Sequence, residues 1–476
     1  MPVRRTNSGL TADLLIELRR DRRASLHRQI EASIRDGIRS GRLQLDTALP
    51  PTRTLAAQLG LSRGVVVEAY QQLIAEGYLA SRPGGYTRVA VGPESLRKRA
   101  RPAAEQAPTI DFGYGRADVS SFPRAAWLRS IRRVLTETPD ERFGYLSGRG
   151  VTELCEVLAE YLNRVRGTSA DPECIVLCNG YAQGIALLVQ VLARSGARRL
   201  ALEDPSSGDD ALPAAIEAGL EVVGVPVDER GIRVDALERS DADAVVLTPS
   251  HQWPLGAVLS AEARAAVLRW ARRRGALIIE DDYDAEYRYD RAPIGAMQGL
   301  APDLVIYAGT ASKTLAPGLR LAWLVVPRHL VEDVAAAKVL ADRGSPALDQ
   351  LAFADFLARG EFDRHLRRMR PVYRRRRDAL LEALRERLPD FEPTGIAAGQ
   401  HLVTWLPSDL DEANMVKAAA RRGVGVYGVA PYRIGSDGPA GLIFGYATLN
   451  ERMIADGVGI LAEVVAELRA ETTSAR

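Results

Sequence analysis

A lysine set among hydroxyls suggests chemistry. The loop Thr310-Ala311-Ser312-Lys313-Thr314 follows an apolar run, LVIYAG (304–309), and Arg320 comes seven residues after the lysine. The chain holds only four lysines, at 98, 313, 338 and 417, against 59 arginines. Where arginine serves almost everywhere, a lysine in such a loop points to its primary amine, which forms an imine with an aldehyde. Thr310, Ser312 and Arg320 supply hydroxyl and guanidinium donors suited to phosphate, so the set fits a phosphate-bearing aldehyde. Upstream, ALIIEDDYDAEY (276–287) puts Asp281 and Tyr283 at the end of a second apolar run. A carboxylate there can pair with a protonated ring nitrogen, and the phenol can bond a ring hydroxyl. The acidic run could instead be a solvated edge or a metal site, although no histidine accompanies it in the sequence.

These residues need a scaffold that brings strand ends together. From residue 109 onward, short apolar runs alternate with helical stretches: CIVL (174–177), RLALE (199–203), AVVLT (244–248), ALIIED (276–281), LVIYAG (304–309) and AWLVVP (322–327). The alternation predicts an α/β fold with a mostly parallel sheet wrapped by helices, whose ligands sit at the carboxyl ends of the strands. Residues 91–108 lack periodicity and read as a linker. The expected domains are therefore 1–90, the linker 91–108, and 109–476.

The head carries a different pattern. Leu26, Ile30, Ile34 and Ile38 predict one helix, Leu55, Ala56 and Leu59 a second, and Val65, Val66, Ala69, Tyr70, Leu73 and Ile74 a third, which Ser62 can cap. Residues 78–89 predict a hairpin turning at Pro83-Gly84-Gly85. Two helices, a tight turn at Gly60-Leu61 and a third helix make a helix-turn-helix pattern, with Ser62 and Arg63 at the end that usually reaches base edges. Arg63 suits a guanine and Arg53 a phosphate. By pattern alone the same helices could form a protein-interaction module.

Charge supports a polyanion partner. Residues 1–100 hold 17 Lys and Arg against 9 Asp and Glu, and the remainder holds 46 against 52. The net charge of +2 hides this asymmetry, which a solvated basic surface would also produce. No apolar run approaches the roughly 20 residues of a membrane span, and the basic N-terminus lacks the apolar core of a secretory signal. Cys155, Cys174 and Cys178 fit no metal spacing and read as reduced buried thiols. The expected location is the cytoplasm, with no membrane partner.

SLHRQI (25–30), SGRL (40–43) and LPPTRTLAAQLGLSRGVVVEAYQQLIAEGYLASRPGG (49–85) resemble the GntR-family winged helix-turn-helix. The resemblance implies double-stranded DNA as partner and Arg53, Ser62, Arg63 and the wing glycine Gly84 as contacts. The body resembles fold type I pyridoxal-phosphate enzymes of the aspartate aminotransferase class. Closer still is the wording of MocR/GabR-type regulators, in TPSHQWPLG (248–256), IIEDDYDAEYRYD (278–290) and YAGTASKTLAPGLRLAWLVVP (307–327). That likeness implies pyridoxal 5'-phosphate as cofactor, Lys313 as the imine lysine, Asp281 at the pyridine nitrogen, Tyr283 at the ring hydroxyl and Arg320 at the phosphate. The turn at Tyr181 and Ala182 would add backbone N–H groups. Tyr145, in GYLSGRG (144–150), matches a tyrosine that reaches the neighbouring subunit's phosphate and so implies a homodimer.

Several positions depart from ordinary transaminases. Ser207 stands where an aromatic stacks on the cofactor, Tyr181-Ala182 replaces Ser-Gln, and Trp253 stands in place of an asparagine. The arginine that grips a substrate carboxylate would fall near Gly441, with Arg433 as a substitute for binding an effector. The expected function is a pyridoxal-phosphate-dependent transcription regulator that senses a small amine, an amino acid or the cofactor. The alternative is a catalytically active aminotransferase with an accessory DNA-binding domain.

Overall fold

The computed structural model describes Leu14, Ile16 and Leu18 together with residues 25–81, 86–90, 108–206, 208–289, 294–435 and 437–474. Two compact units emerge, residues 1–106 and 107–476. Most of the expected linker, 91–107, lies outside the described residues, as do the wing turn with Gly84 and the loop residue Ser207.

In the first unit, helices Leu26–Arg39, Thr52–Leu59 and Arg63–Ala75 precede a two-stranded ladder in which Leu79 faces Val89. The isoleucines at 30, 34 and 38 recur every fourth residue, and all three are fully buried with Leu55, Val66 and Leu73. Gly60 ends the second helix at φ +67°, a left-handed conformation that glycine adopts without strain. Tyr70 donates its hydroxyl to Pro50 O at 2.9 Å, which ties the third helix to the entry of the second. Two details differ from expectation. Ile74 is 36% exposed, because the apolar stripe is narrower than its spacing suggested. Ser62 occupies the N-cap position of the third helix but makes no side-chain cap bond.

In the second unit all six predicted runs become strands of one eight-stranded sheet. Its order is Ile175–Cys178, Ala322–Val325, Val305–Thr310, Leu277–Asp282, Ala244–Leu247, Arg199–Asp204, Glu221–Asp228 and Gly231–Ile232. Ala322–Val325 and Gly231–Ile232 run against the other strands. Side chains alternate between faces, so Leu200 and Leu202 pack with Val176 and Ile306 on one side while Ala201 packs with Val245, Ile278 and Trp270 on the other. The strand Glu221–Asp228 (EVVGVPVD) was not foreseen, because Gly224 and Pro226 interrupt its apolar pattern. Also unforeseen is a smaller antiparallel sheet of Glu392–Thr394, His401–Trp405, Gly441–Gly445 and Tyr427–Gly428. No helix among the described residues is long and apolar enough to cross a membrane, and Cys155, Cys174 and Cys178 are buried thiols.

Candidate functional site

The carboxyl ends of the central strands open into a cavity of about 460 Å³. Lys313, Asp281, Tyr283, Thr310, Ser312, Arg320, Tyr181 and Ala182 all line it. Residues from three separate stretches of sequence thus converge on one space. Tyr145 and Arg433 are not in its lining. Tyr145 is 97% exposed, and the Arg433 guanidinium donates to Pro439 O at 2.9 Å within its own loop.

Strand geometry explains the acidic run. Successive side chains of Leu277–Asp282 point to opposite faces, so Asp281 meets the cavity while Glu280 and Asp282 turn away. Glu280 accepts the backbone N–H groups of Met297 and Gln298 at 2.9 and 3.0 Å. Asp282 forms a fully buried two-pronged pair with Arg166, at 2.7 and 3.1 Å, and also accepts from Tyr307 at 2.8 Å. Breaking such a buried pair costs about 3–5 kcal/mol. Neither a solvated edge nor a shared cation is needed to account for these carboxylates.

The reactive groups are held in unequal electrostatic settings. Burial pushes the Asp281 carboxyl up to about 8, with the Lys313 charge pulling the other way, and Tyr181 gives it a hydrogen bond. Burial lowers the Lys313 ammonium, against the opposing pull of Asp281 and Asp284. A lysine so lowered exposes more neutral amine to an aldehyde. Its Nζ donates to Gly115 O at 2.7 Å, and its own carbonyl accepts from Gln400 Nε2 at 2.8 Å. Thr310 Oγ1 donates to Ser312 Oγ at 2.9 Å and accepts the Ser312 N–H at 3.1 Å.

A turn completes the anion-binding side. Gly180, at φ +87°, precedes helix Tyr181–Arg194, whose first N–H groups lack intrahelical partners. A Cβ at Gly180 would lie 1.9 Å from Arg320 Nη2, so only glycine lets the guanidinium close on the turn. Arg320 Nη2 donates to Asn179 O at 2.8 Å.

Another part of the lining is aromatic. Tyr114 and Trp253 line it with ring centroids 5.3 Å apart, and Tyr432 packs edge-on against Trp253 at 4.6 Å. No histidine lies within the acidic run itself, and the fold brings His251 and His401, near the site by motif, beside it. His251 Nδ1 lies 3.1 Å from Asp284, His401 lies 5.1 Å from His251 between ring centroids, and the Tyr283 hydroxyl donates to His251 O at 3.0 Å. His401 Nε2 lies 3.0 Å from Pro254 O. Sequence reasoning missed Tyr114, Asp284 and Gln400. Only Asp284 carried a signal, its place two residues past Asp282 in the acidic run. At Gly441 a Cβ would sit 2.8 Å from the Trp405 ring, so that aromatic occupies the space a side chain would need.

In the head, Arg53, Ser62 and Arg63 are exposed, and neither arginine pairs with a carboxylate among the described residues.

Comparison with known proteins agrees with both halves. Residues 109–454 match the family "Aminotransferase class I and II", and residues 26–89 match "Bacterial regulatory proteins, gntR family". The chain is 33% identical to the "Probable rhizopine catabolism regulatory protein MocR" of Rhizobium meliloti, over 94% of this chain and 95% of that one. It is 31% identical to the "HTH-type pyridoxine biosynthesis transcriptional regulator PdxR" of Corynebacterium glutamicum, over 93% and 96% respectively. Among solved structures it is similar to the α-aminoadipate aminotransferase LysN of Thermus thermophilus, complexed with N-(5'-phosphopyridoxyl)-L-leucine. The TM-score is 0.69 at 29% identity, covering 76% of this chain and 93% of that one.

Proposed function

From a chain that belongs to the aminotransferase class I and II family and carries a gntR-family domain ahead of it, we propose a pyridoxal-phosphate-dependent transcription regulator. The observation that carries this reading is the convergence of Lys313, Asp281, Arg320 and the Gly180 turn on one cavity. The donor set fits pyridoxal 5'-phosphate: an amine lowered by burial, an acid facing it, and a turn with exposed backbone that only glycine allows. When bound, that cofactor supplies an aldehyde for amines and a ring that draws electrons from them.

The residues divide the work. Lys313 offers the amine, and Asp281 holds a proton at the ring nitrogen. Tyr283 bonds the ring hydroxyl. Thr310, Ser312, Arg320 and the N–H groups of Tyr181 and Ala182 bind phosphate. Tyr145 serves the cavity of a second copy, a role supported by its near-complete exposure and its place outside its own chain's lining. The protein is thus a homodimer with shared sites. DNA is a partner through the head, with Arg63 and Ser62 at base edges, Arg53 at phosphate and Gly84 in the wing. Boundaries at 1–90, 91–108 and 109–476 separate reader, linker and sensor. With the cofactor held there, a small amine or amino acid would compete with the Lys313 amine and would favour one of two dimer conformations, which requires no turnover.

Gel shifts on the chain's own promoter test the reading. DNA affinity is expected to fall steeply with salt, and Arg63→Ala to cost about 1–3 kcal/mol with relaxed base preference. A cognate amine is expected to shift both the visible spectrum and DNA affinity. Rapid multiple turnover with common amino acids, and no effect of amines on DNA binding, would overturn the regulator in favour of an aminotransferase.

A further inference from the structure

Among the described residues two lysines stand besides Lys313, and one of them is buried. Lys338 lies on helix Val331–Asp342 and is 1% exposed, in a chain that otherwise relies on arginine. Its Nζ donates to Asp342 Oδ2 at 2.5 Å and to Ser345 Oγ at 2.9 Å. A compact ammonium suits this corner, where an arginine fork would need more room and more acceptors. Asp342 Oδ2 also accepts Asn179 Nδ2 at 2.9 Å and Gln183 Nε2 at 2.8 Å, while Oδ1 accepts the Gly344 N–H at 2.8 Å. Partial burial pulls the Asp342 carboxyl upward, but bonds from Lys338 and Gln183 outweigh it and hold it below the usual carboxylate range.

Those two amides belong to the turn that opens helix Tyr181–Arg194. Gln183 Oε1 accepts the Asn179 N–H at 2.8 Å, closing the turn on itself, and Asn179 O accepts from Arg320 at 2.8 Å. One continuous path of bonds therefore runs from Lys338 through Asp342 and Asn179 to the Arg320 guanidinium. Neither Lys338 nor Asp342 lines the cavity.

We propose that Lys338 and Asp342 are positioning residues that set the shape of the Asn179–Gln183 turn and thereby the affinity of the cavity for a phosphate monoester. The proposal rests on the cofactor reading above. Anion binding by backbone N–H groups depends on their being aimed beforehand, and a turn released from Asp342 spends binding free energy on ordering itself. Removing the Lys338 charge leaves Asp342 partly buried without its cation, so the acid no longer holds both amides.

The test uses the purified full-length protein and two probes, pyridoxal 5'-phosphate and pyridoxal, which lacks the phosphate. Each is titrated by its visible absorption band, with thermal stability measured in parallel. Lys338→Met is expected to weaken binding of the phosphorylated probe by roughly ten- to a hundredfold and leave pyridoxal within about threefold, so the preference for phosphate collapses. Asn179→Ala, which keeps the Lys338–Asp342 pair and the turn's backbone bonds and cuts one link between them, is expected to move the preference the same way by less. Should Lys338→Met not fold, Asn179→Ala carries the test alone. Equal losses for both probes, or an unchanged preference in a folded variant, would overturn the proposal. A wild type that takes up neither probe defeats the cofactor reading itself and the proposal with it.

Discussion

The two walls of the cavity are built on different principles. On the anion-binding wall, each polar group is fixed by another element: Arg320 by Asn179, Ser312 by Thr310, and the turn by Asp342. The aromatic part of the lining is made of Tyr114 and Trp253, and the Asp284 carboxylate beside it is turned on the His251 ring. Arg433, the arginine expected to meet an effector, is bonded to its own loop. Binding that depends on preset donors is specific and loses much when one donor is removed. Binding to an aromatic face depends on area and shape and tolerates variation among ligands. On the proposed function, the cofactor's attachments are built in advance, whereas effector recognition is left loosely specified.

The largest effect expected on that contrast comes from Lys313. Lys313→Ala removes the one lysine in the described lining, and after incubation with excess pyridoxal phosphate the variant is expected to show no protein-linked visible band while remaining folded. A persisting band would break the assignment of the reactive amine. Asp281→Asn comes next. It removes a charge-assisted bond worth about 1.5–3 kcal/mol, so cofactor affinity is expected to fall on the order of ten- to a hundredfold. The same variant gives a pH signature in cofactor-free protein. The folded Asp281 holds its proton up to about 8 against an ordinary 3.8. Its contribution to stability is complete below about pH 4 and is lost as pH rises through about 8. Melting temperature is expected to fall across this window more in wild type than in Asp281→Asn, and parallel curves would show that Asp281 is not held neutral.

Much of the cofactor wall was legible in the sequence because its groups cluster. Thr310, Ser312, Lys313 and Arg320 lie within eleven residues, and strand alternation alone sets Asp281 apart from its acidic neighbours. The three helices of the head were legible for a similar reason, since Ile30, Ile34 and Ile38 are both periodic and fully buried. What stayed hidden depends on distant partners. Arg166 lies 116 residues from Asp282, and Asn179 lies 163 from Asp342, so no local pattern announces either pair. His251 and Asp284 come from separate strand ends that only the sheet order brings together. The small antiparallel sheet was missed because its strands are short, and its core position Gly441 has no side chain by which to announce itself.

Arg433 gives the smallest expected effect and the sharpest reading of the aromatic wall. Its guanidinium already donates to Pro439 O, so engaging an effector carboxylate means exchanging one acceptor for another. A bond to a charged group is worth about 1.5–3 kcal/mol and a neutral one about 0.5–1.5, so the exchange nets roughly 1 kcal/mol. Arg433→Ala is accordingly expected to weaken the spectral response to amino acids by about three- to tenfold. It is expected to leave the response to simple amines, the cofactor affinity and the DNA affinity within about twofold. Titrating the variant with an amino acid and with the amine lacking its carboxylate separates the two contributions. Equal weakening for both ligands would mean that the loop shapes the wall as a whole. No weakening for either would leave carboxylate recognition to another residue, and the aromatic face would then select its ligands by shape alone.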